Sequence, residues 1–434
     1  MKHKLAQGAI DVLSCSKTVS ERASFEQFSE RDWQHTIPWL HDTGLALYFL
    51  EKLKNVQATH IIPPAAVRSL ENSLRANRRR VRHLRGRFEL LNRKFDEAGV
   101  MYAAVKGVSL VPEFCPDADL RHQSDFDYVI SRESLSRASN VLGEMGYSLR
   151  AHGAHDYLFS IPSGGFKATV ENQYNADTPC PVELHLSLWG SNARDIFLAE
   201  PDFGAEHTIE RQWQGLIFRG LCDEIQFLFQ VTHLFYHISS YWMRLSWLFE
   251  VANFLKKKSA HTAFWIKIEQ LVGEDRVFQE VIALVATLAQ VFFAAPVPPP
   301  LAGWSLRPAV RVWIDKYSRA WAFGNNQVHQ FAFWPSAKLT LFLLQQYAPD
   351  QRQFLWSRLF WADDRSEPWL PTQRLSNSAR NIKAKPSRIL DKTLYGHQRL
   401  ANRTLFHVTA NLRYLCERPR WRYLNRIAAH SSAA

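Results

Sequence analysis

Residues 101–130, MYAAVKGVSLVPEFCPDADLRHQSDFDYVI, decide how the rest of the chain is read. The apolar run 101–105 has the composition of a buried strand and stops at Lys106-Gly107. A glycine there lets backbone N–H groups approach a phosphate, the lysine adds a positive charge, and Ser109 follows in the same turn. A second strand closes the stretch, Ser124-Asp125-Phe126-Asp127-Tyr128-Val129-Ile130. Side chains on a strand change face at each step, so Asp125 and Asp127 share a face, roughly 6.6 Å apart along the backbone. Phe126, Tyr128 and Ile130 take the opposite face, toward the core. Two carboxylates held this close repel each other unless a cation lies between them, and an all-oxygen ligand set suits a hard ion such as Mg²⁺.

An i, i+2 aspartate pair is also what the wet face of a half-buried strand looks like. The surroundings separate the two readings. Residues 181–186, Pro-Val-Glu-Leu-His-Leu, alternate as a further strand, with Glu183 and His185 on one face. Two strands offering three carboxylates beside a glycine turn suit metal-dependent phosphoryl or nucleotidyl chemistry. His185 shares the face of Glu183 and suits support of the ligands or contact with a phosphate.

These motifs resemble those of an uncharacterised bacterial nucleotidyltransferase family within the polymerase-β-like superfamily. Val105-Lys106-Gly107, Arg121 and Asp125-Phe126-Asp127-Tyr128-Val129 follow its L-K-G … R-x-x-x-D-I-D-L-L-V pattern. Glu183-Leu184-His185 is similar to its E-L-H-W strand, with Leu186 in place of Trp. Asp32-Trp33 and Ala46-Leu47-Tyr48 resemble its leading helix; His233, Trp247 and Glu250 resemble its later helices, Glu250 standing where Asp is usual. The likeness extends over roughly the first 300 residues, with specificity concentrated in the central motifs.

The resemblance implies an α+β fold, a small mixed-sheet nucleotidyltransferase core embedded between N-terminal and C-terminal helical regions. It implies that Asp125 and Asp127 hold two Mg²⁺ ions, and that Glu183 completes the metal shell and favours deprotonation of the acceptor. Lys106 and the Gly107 backbone, with Ser109 and His185 beside them, would grip the triphosphate of an NTP substrate. Arg121 would neutralise the leaving pyrophosphate. The acceptor is left open among small molecule, peptide, protein and RNA.

Outward from the core, the chain is read as helical over 1–98, core over 99–190, helical over 191–295, a Pro-rich linker over 296–308, and helical and basic over 309–434. Pro63-Pro64 opens a long helix whose apolar positions Leu70, Leu74, Val81, Leu84, Phe88, Leu91 and Phe95 fall at helical spacing, and Gly99 ends it. Its other face carries Arg75, Arg78, Arg79, Arg80, Arg82, Arg85 and Arg87, which suits either a solvated face or an electrostatic lining for a phosphate-rich ligand. Within the core, 155–161 and 166–170 flank Pro162-Ser163-Gly164-Gly165 and read as a hairpin. The run 281–295 is too short to span a bilayer and reads as a buried helix.

Composition sets the remaining bounds. Hydrophobic residues at 46% and charged residues at 22% describe an ordinary globular chain, and the net charge of +12 favours anionic partners. Five scattered cysteines offer neither zinc spacing nor a disulfide framework, and no signal peptide is evident, so a reduced, cytoplasmic protein is expected. Three classes of function stay open. They are NMP transfer from Mg-NTP, an RNA-directed version such as a toxin-like enzyme modifying tRNA ends, and a non-catalytic nucleotide-binding or scaffold protein.

Overall fold

The alternation around Asp127 becomes the centre of a seven-stranded mixed sheet. In the computed structural model the strands are β1 (Tyr102–Ala104), β2 (Phe126–Ile130), β3 (Ser148–His152), β4 (Asp156–Ser160), β5 (Val182–His185), β6 (Thr208–Trp213) and β7 (Leu216–Leu221). Their order is β3-β4-β5-β2-β1-β7-β6. The structure describes residues 2–14, 25–162, 173–189, 198–239, 243–324, 337–348, 350–360 and 386–433. The chain divides into two compact units, one of Met1–His237 with Met243–Leu306, the other of Ile238–Trp242 with Arg307–Ala434.

Two pairings place the site. β2 runs antiparallel to β1, Ala104 opposite Tyr128, and parallel to β5, Asp127 opposite Glu183. β5 in turn pairs antiparallel with β4, His185 opposite Asp156. Neighbours in register point to the same side of a sheet, so these pairings gather polar side chains on one face.

The helices of the first unit are α1 (Lys2–Leu13), α2 (Glu30–Asp42), α3 (Ala46–Asn55), α4 (Pro64–Glu97), α5 (Leu135–Glu144), α6 (Asp223–Ser239), α7 (Leu245–Lys258), α8 (Thr262–Val272), α9 (Arg276–Phe293) and α10 (Pro299–Gly303). Proline at N1 starts α4, and Gly99 follows its end at φ +63°, a left-handed conformation that favours glycine. The apolar stripe of α4 covers the sheet opposite the carboxylates. Phe88 stacks on Tyr128 with ring centres 6.1 Å apart, and Phe95 meets the same ring edge-on at 5.3 Å. Phe126, Tyr128 and Ile130 are all buried there, as the alternation requires. Each such side chain contributes about 1.5–3 kcal/mol through its burial.

Three expectations change in detail. Arg80 is fully buried rather than part of the exposed basic face, because position 80 lies with Asn77, Val81 and Leu84 on the packed side of α4. Within 191–295, expected to be helical, β6 and β7 form a hairpin that lengthens the sheet. Its two-residue turn, Gln214 at φ +48° and Gly215 at φ +81°, has the positive φ at both positions that a tight hairpin of this twist demands. The arm at 155–161 is β4, paired with β3; the expected second arm, 166–170, lies outside the described residues.

Among the described residues α9 is the one helix long and apolar enough to cross a membrane, and 67% of it is buried inside the protein. Val281, Ile282, Leu284, Val285 and Leu288 are core residues. In the second unit, α11 (Pro308–Gly324), α12 (Leu341–Leu344), α13 (Gln351–Phe360) and α14 (Pro386–Ala433) include an aromatic core in which Phe342 stacks on Tyr414 and Trp421, 4.6 and 4.8 Å between ring centres.

Candidate active site

The turn after β1 is built to hold a lysine against a carboxylate. Val105 continues the ladder by donating its N–H to Asp127 O at 3.1 Å, and Gln226 and Gln230 of α6 both donate to Val105 O. The chain then bends at Gly107, φ +63°, where a Cβ would also strike the side chain of Gln123 at about 2.5 Å. The left-handed conformation favours glycine, and any other residue would also displace the end of the Gln123 side chain. Lys106 Nζ ends 2.7 Å from Asp127 Oδ1, with only 12% of one side chain and 1% of the other exposed.

Around Asp127 stand the groups of β4 and β5. His185 donates from Nε2 to Asp127 Oδ1 at 3.3 Å and from Nδ1 to Asp156 Oδ1 at 2.8 Å, with Glu183 Oε2 3.9 Å from Nε2. A ring whose two nitrogens both face carboxylates is an imidazolium. Burial alone would lower its pKa, but Glu183 and the bonds to Asp127 and Asp156 raise it to about 10. The same cluster spreads the carboxyls apart. Burial would raise Asp127, yet Lys106 and His185 outweigh it and hold this carboxyl below its ordinary value. Burial and the charge of Asp127 push Asp125 up to about 6. Burial pushes Glu183 up to about 7, against the pull of His185 and Lys106.

Asp127, Glu183 and His185 bring one donor atom each within 4.8 Å of one another, the one such group among the described residues. Four carboxyls, those of Asp125, Asp127, Asp156 and Glu183, interact here with two cations, Lys106 and His185. A surplus of acid made of carboxylate oxygens fits a hard divalent cation.

Sequence-read residues that do not join this cluster have other partners. Ser109 is buried and its Oγ donates to Lys106 O at 3.1 Å, fastening the turn. Arg121 points to α7, where its Nε donates to Glu250 Oε1 at 3.0 Å; Tyr48 of α3 donates to the same oxygen at 2.9 Å. The loop carrying Arg121 is held from α4. Asn77 donates to the carbonyls of Asp119 and Arg121, and Arg80 to those of Gln123, Asn175 and Thr178.

Asp156 escaped the sequence reading; Arg80 entered it only as part of the basic face of α4, and Arg244 only as an interruption of the aromatic stretch that could face a nucleotide cleft. The helical period of α4 carries the signal for Arg80. Asp156 has none, since only the β4–β5 register sets it beside His185. Arg244 interrupts an aromatic run, and only its fold partners reveal its setting.

A family model described as an uncharacterised nucleotidyltransferase matches residues 29–294, more than half of the chain, and includes every residue of the cluster. No curated protein and no solved structure matches the chain.

Proposed function

The chain belongs to the uncharacterised nucleotidyltransferase family, and from that premise we propose that it transfers an NMP from an Mg²⁺-bound NTP to an acceptor, releasing pyrophosphate. The observation that carries this reading is the convergence of Asp127, Glu183 and His185 within 4.8 Å, with Asp125 and Lys106 adding their charges. An acceptor oxygen or nitrogen forms a bond to the α-phosphorus, the bond from that phosphorus to the β-bridging oxygen breaks, and pyrophosphate carries the electron pair away.

Asp125, Asp127 and Glu183 would hold Mg²⁺, which when bound neutralises charge developing on the phosphoryl oxygens. Lys106 holds Asp127 ionised and sits beside the Gly107 turn, ready for the triphosphate. Glu183, opposite Asp127 in the β2–β5 register, would complete the metal shell and favour deprotonation of the acceptor. Asp156 and Asp127 orient His185 from both nitrogens, fixing one edge of the site.

The test is incubation with each labelled NTP, Mg²⁺ and cell extract, followed by identification of whatever becomes labelled. Absence of label with all four, together with no Mg-NTP binding in calorimetry, would leave a scaffold protein. An RNA acceptor is favoured by one observation, the exposed Arg75, Arg79 and Arg82 along α4. RNA retained on purification and labelled in the same assay would support it.

A further inference from the structure

Three arginines surround His122, and they are neutralised unequally. His122 is neutral, through its burial and through the guanidinium groups of Arg244, Arg80 and Arg121 near it. Arg244 Nη1 lies 2.9 Å from His122 Nδ1, and His122 Nε2 lies 3.0 Å from Gln173 O. A guanidinium only donates, so Nδ1 accepts and the ring proton sits on Nε2, donated to the carbonyl. His122 therefore brings Arg244 a lone pair and no charge.

Arg121 is answered by Glu250. Arg80 gives Nε and Nη1 to backbone carbonyls, but its Nη2 is buried without a hydrogen-bond partner. Arg244 Nε is likewise buried and unpartnered, and among the described residues no carboxylate lies within ion-pair distance of either side chain. Asp125 and Asp42 act on Arg244 only from farther away. Leaving a largely desolvated cation without an anion costs stability, which points to an anion that arrives from outside.

Two further features favour that. Arg244 occupies the N-cap position of α7, a 14-residue helix whose N-terminal end attracts negative charge, with the Ser246 N–H of that turn already donated to Thr43 O. Arg244 also belongs to the neighbourhood of the carboxylate cluster. It interacts with Asp125, and Gln123, whose carbonyl receives Arg80, packs against the Gly107 turn. As a whole the residue is half-buried, with its Nε buried.

We infer that Arg244, with Arg80 behind it, binds a phosphate group of the triphosphate tail of the nucleotide. This rests on the nucleotidyl-transfer reading and moves the phosphate-neutralising role from Arg121, already paired, to the arginine that lacks an anion.

The experiment uses the full chain and inorganic tripolyphosphate with Mg²⁺, read by thermal unfolding and calorimetry. The parent should be stabilised by tripolyphosphate. Arg244→Met should weaken that binding roughly ten- to hundredfold, the loss expected for charge-assisted hydrogen bonds. It should also leave the ligand-free unfolding temperature unchanged or higher, because it removes an uncompensated charge. A purely structural arginine predicts the reverse: a lower unfolding temperature and unchanged tripolyphosphate affinity. Either of these results overturns the inference.

If Arg244→Met does not fold, Arg244→Lys decides: weakened tripolyphosphate binding supports the inference, unchanged binding ends it. An NTP should compete with tripolyphosphate. Competition by orthophosphate alone would place a phosphorylated acceptor at Arg244 and overturn the assignment to the nucleotide. Loss of binding on replacing exposed Arg75, Arg79 and Arg82, and not Arg244, would show adventitious attraction to α4. Should labelled-NTP transfer fail while Arg244-dependent tripolyphosphate binding holds, the transfer reading falls and the anion site stands.

Discussion

Two buried ion clusters are joined by the loop 121–125, and they are balanced differently. In the first, Arg121 faces Glu250 at 3.0 Å, and Tyr48 donates to the same carboxylate. One cation meets one anion. In the second, Lys106 and His185 face Asp125, Asp127, Asp156 and Glu183, and the carboxyl pKa values separate, those of Asp127 and Asp156 held below their ordinary value and those of Asp125 and Glu183 raised to about 6 and 7. Balanced charge makes a brace between helix and loop. Surplus charge of one sign stores a demand for a ligand, and displaced pKa values gather where chemistry is done.

The strongest way to break this comparison is at Asp127. Asp127→Asn should lower transfer at least about a thousandfold, as loss of a group acting on transition-state charge does, and abolish the tightening of NTP binding by Mg²⁺. Circular dichroism should show the fold intact. Equal Mg-NTP binding by variant and parent would reduce the aspartates to members of a buried ion-pair network that holds no metal.

The brace predicts a loss of stability instead. Glu250→Gln leaves Arg121 buried without its anion and should cost about 3–5 kcal/mol in denaturant unfolding, whereas replacing both residues with apolar ones should recover most of that. A single variant as stable as the parent would mean that the pair braces nothing.

Glu183→Gln sharpens the comparison through pH. A carboxyl raised from 4.5 to about 7 disfavours its ionised form in the folded state, so the metal-free parent should lose stability as pH rises from about 4.5 to 7. The variant lacks this loss. It should be more stable than the parent by on the order of 2 kcal/mol at pH 8 and about equal at pH 4. Turnover should vanish while nucleotide binding largely survives, because a group that favours deprotonation of the acceptor acts mainly in the transition state. A parent and variant with parallel stability curves across this range would remove Glu183 from the surplus.

The smallest effect belongs to the outer face of α4. Replacing Arg75, Arg79 and Arg82 with Gln should change stability by less than about 0.5 kcal/mol. If the acceptor is RNA, its binding should lose about one unit of log–log salt slope per phosphate contact removed. An unchanged slope would assign these arginines to solvent.

The central strand was legible because its information is local. Alternation at 124–130 placed Phe126, Tyr128 and Ile130 in the core and the aspartates opposite, and Pro64 and Gly99 marked both ends of α4. The α4 period also contained the burial of Arg80, hidden within a run of three arginines whose common charge suggested a common face. The β6–β7 hairpin carried its own turn, Gln214-Gly215, but its strands read Thr-Ile-Glu-Arg-Gln-Trp and Leu-Ile-Phe-Arg-Gly-Leu, too irregular in hydrophobicity to stand out beside an aromatic helical stretch.

By itself, then, the sequence determined which residues could share a face, where turns need glycine, and which chemical groups were on offer: Lys106, Asp125, Asp127, Glu183 and His185. Those properties follow from backbone period and side-chain type, which act over a few residues. Tertiary structure alone decided which charges answer one another. Parallel pairing of β2 with β5 set Glu183 beside Asp127, the β4–β5 register gave His185 its second carboxylate, and Arg121 found Glu250 across 129 residues of chain. Coulomb energy and desolvation depend on distance in space and on the water removed, and neither quantity is written in the spacing of residues along the chain.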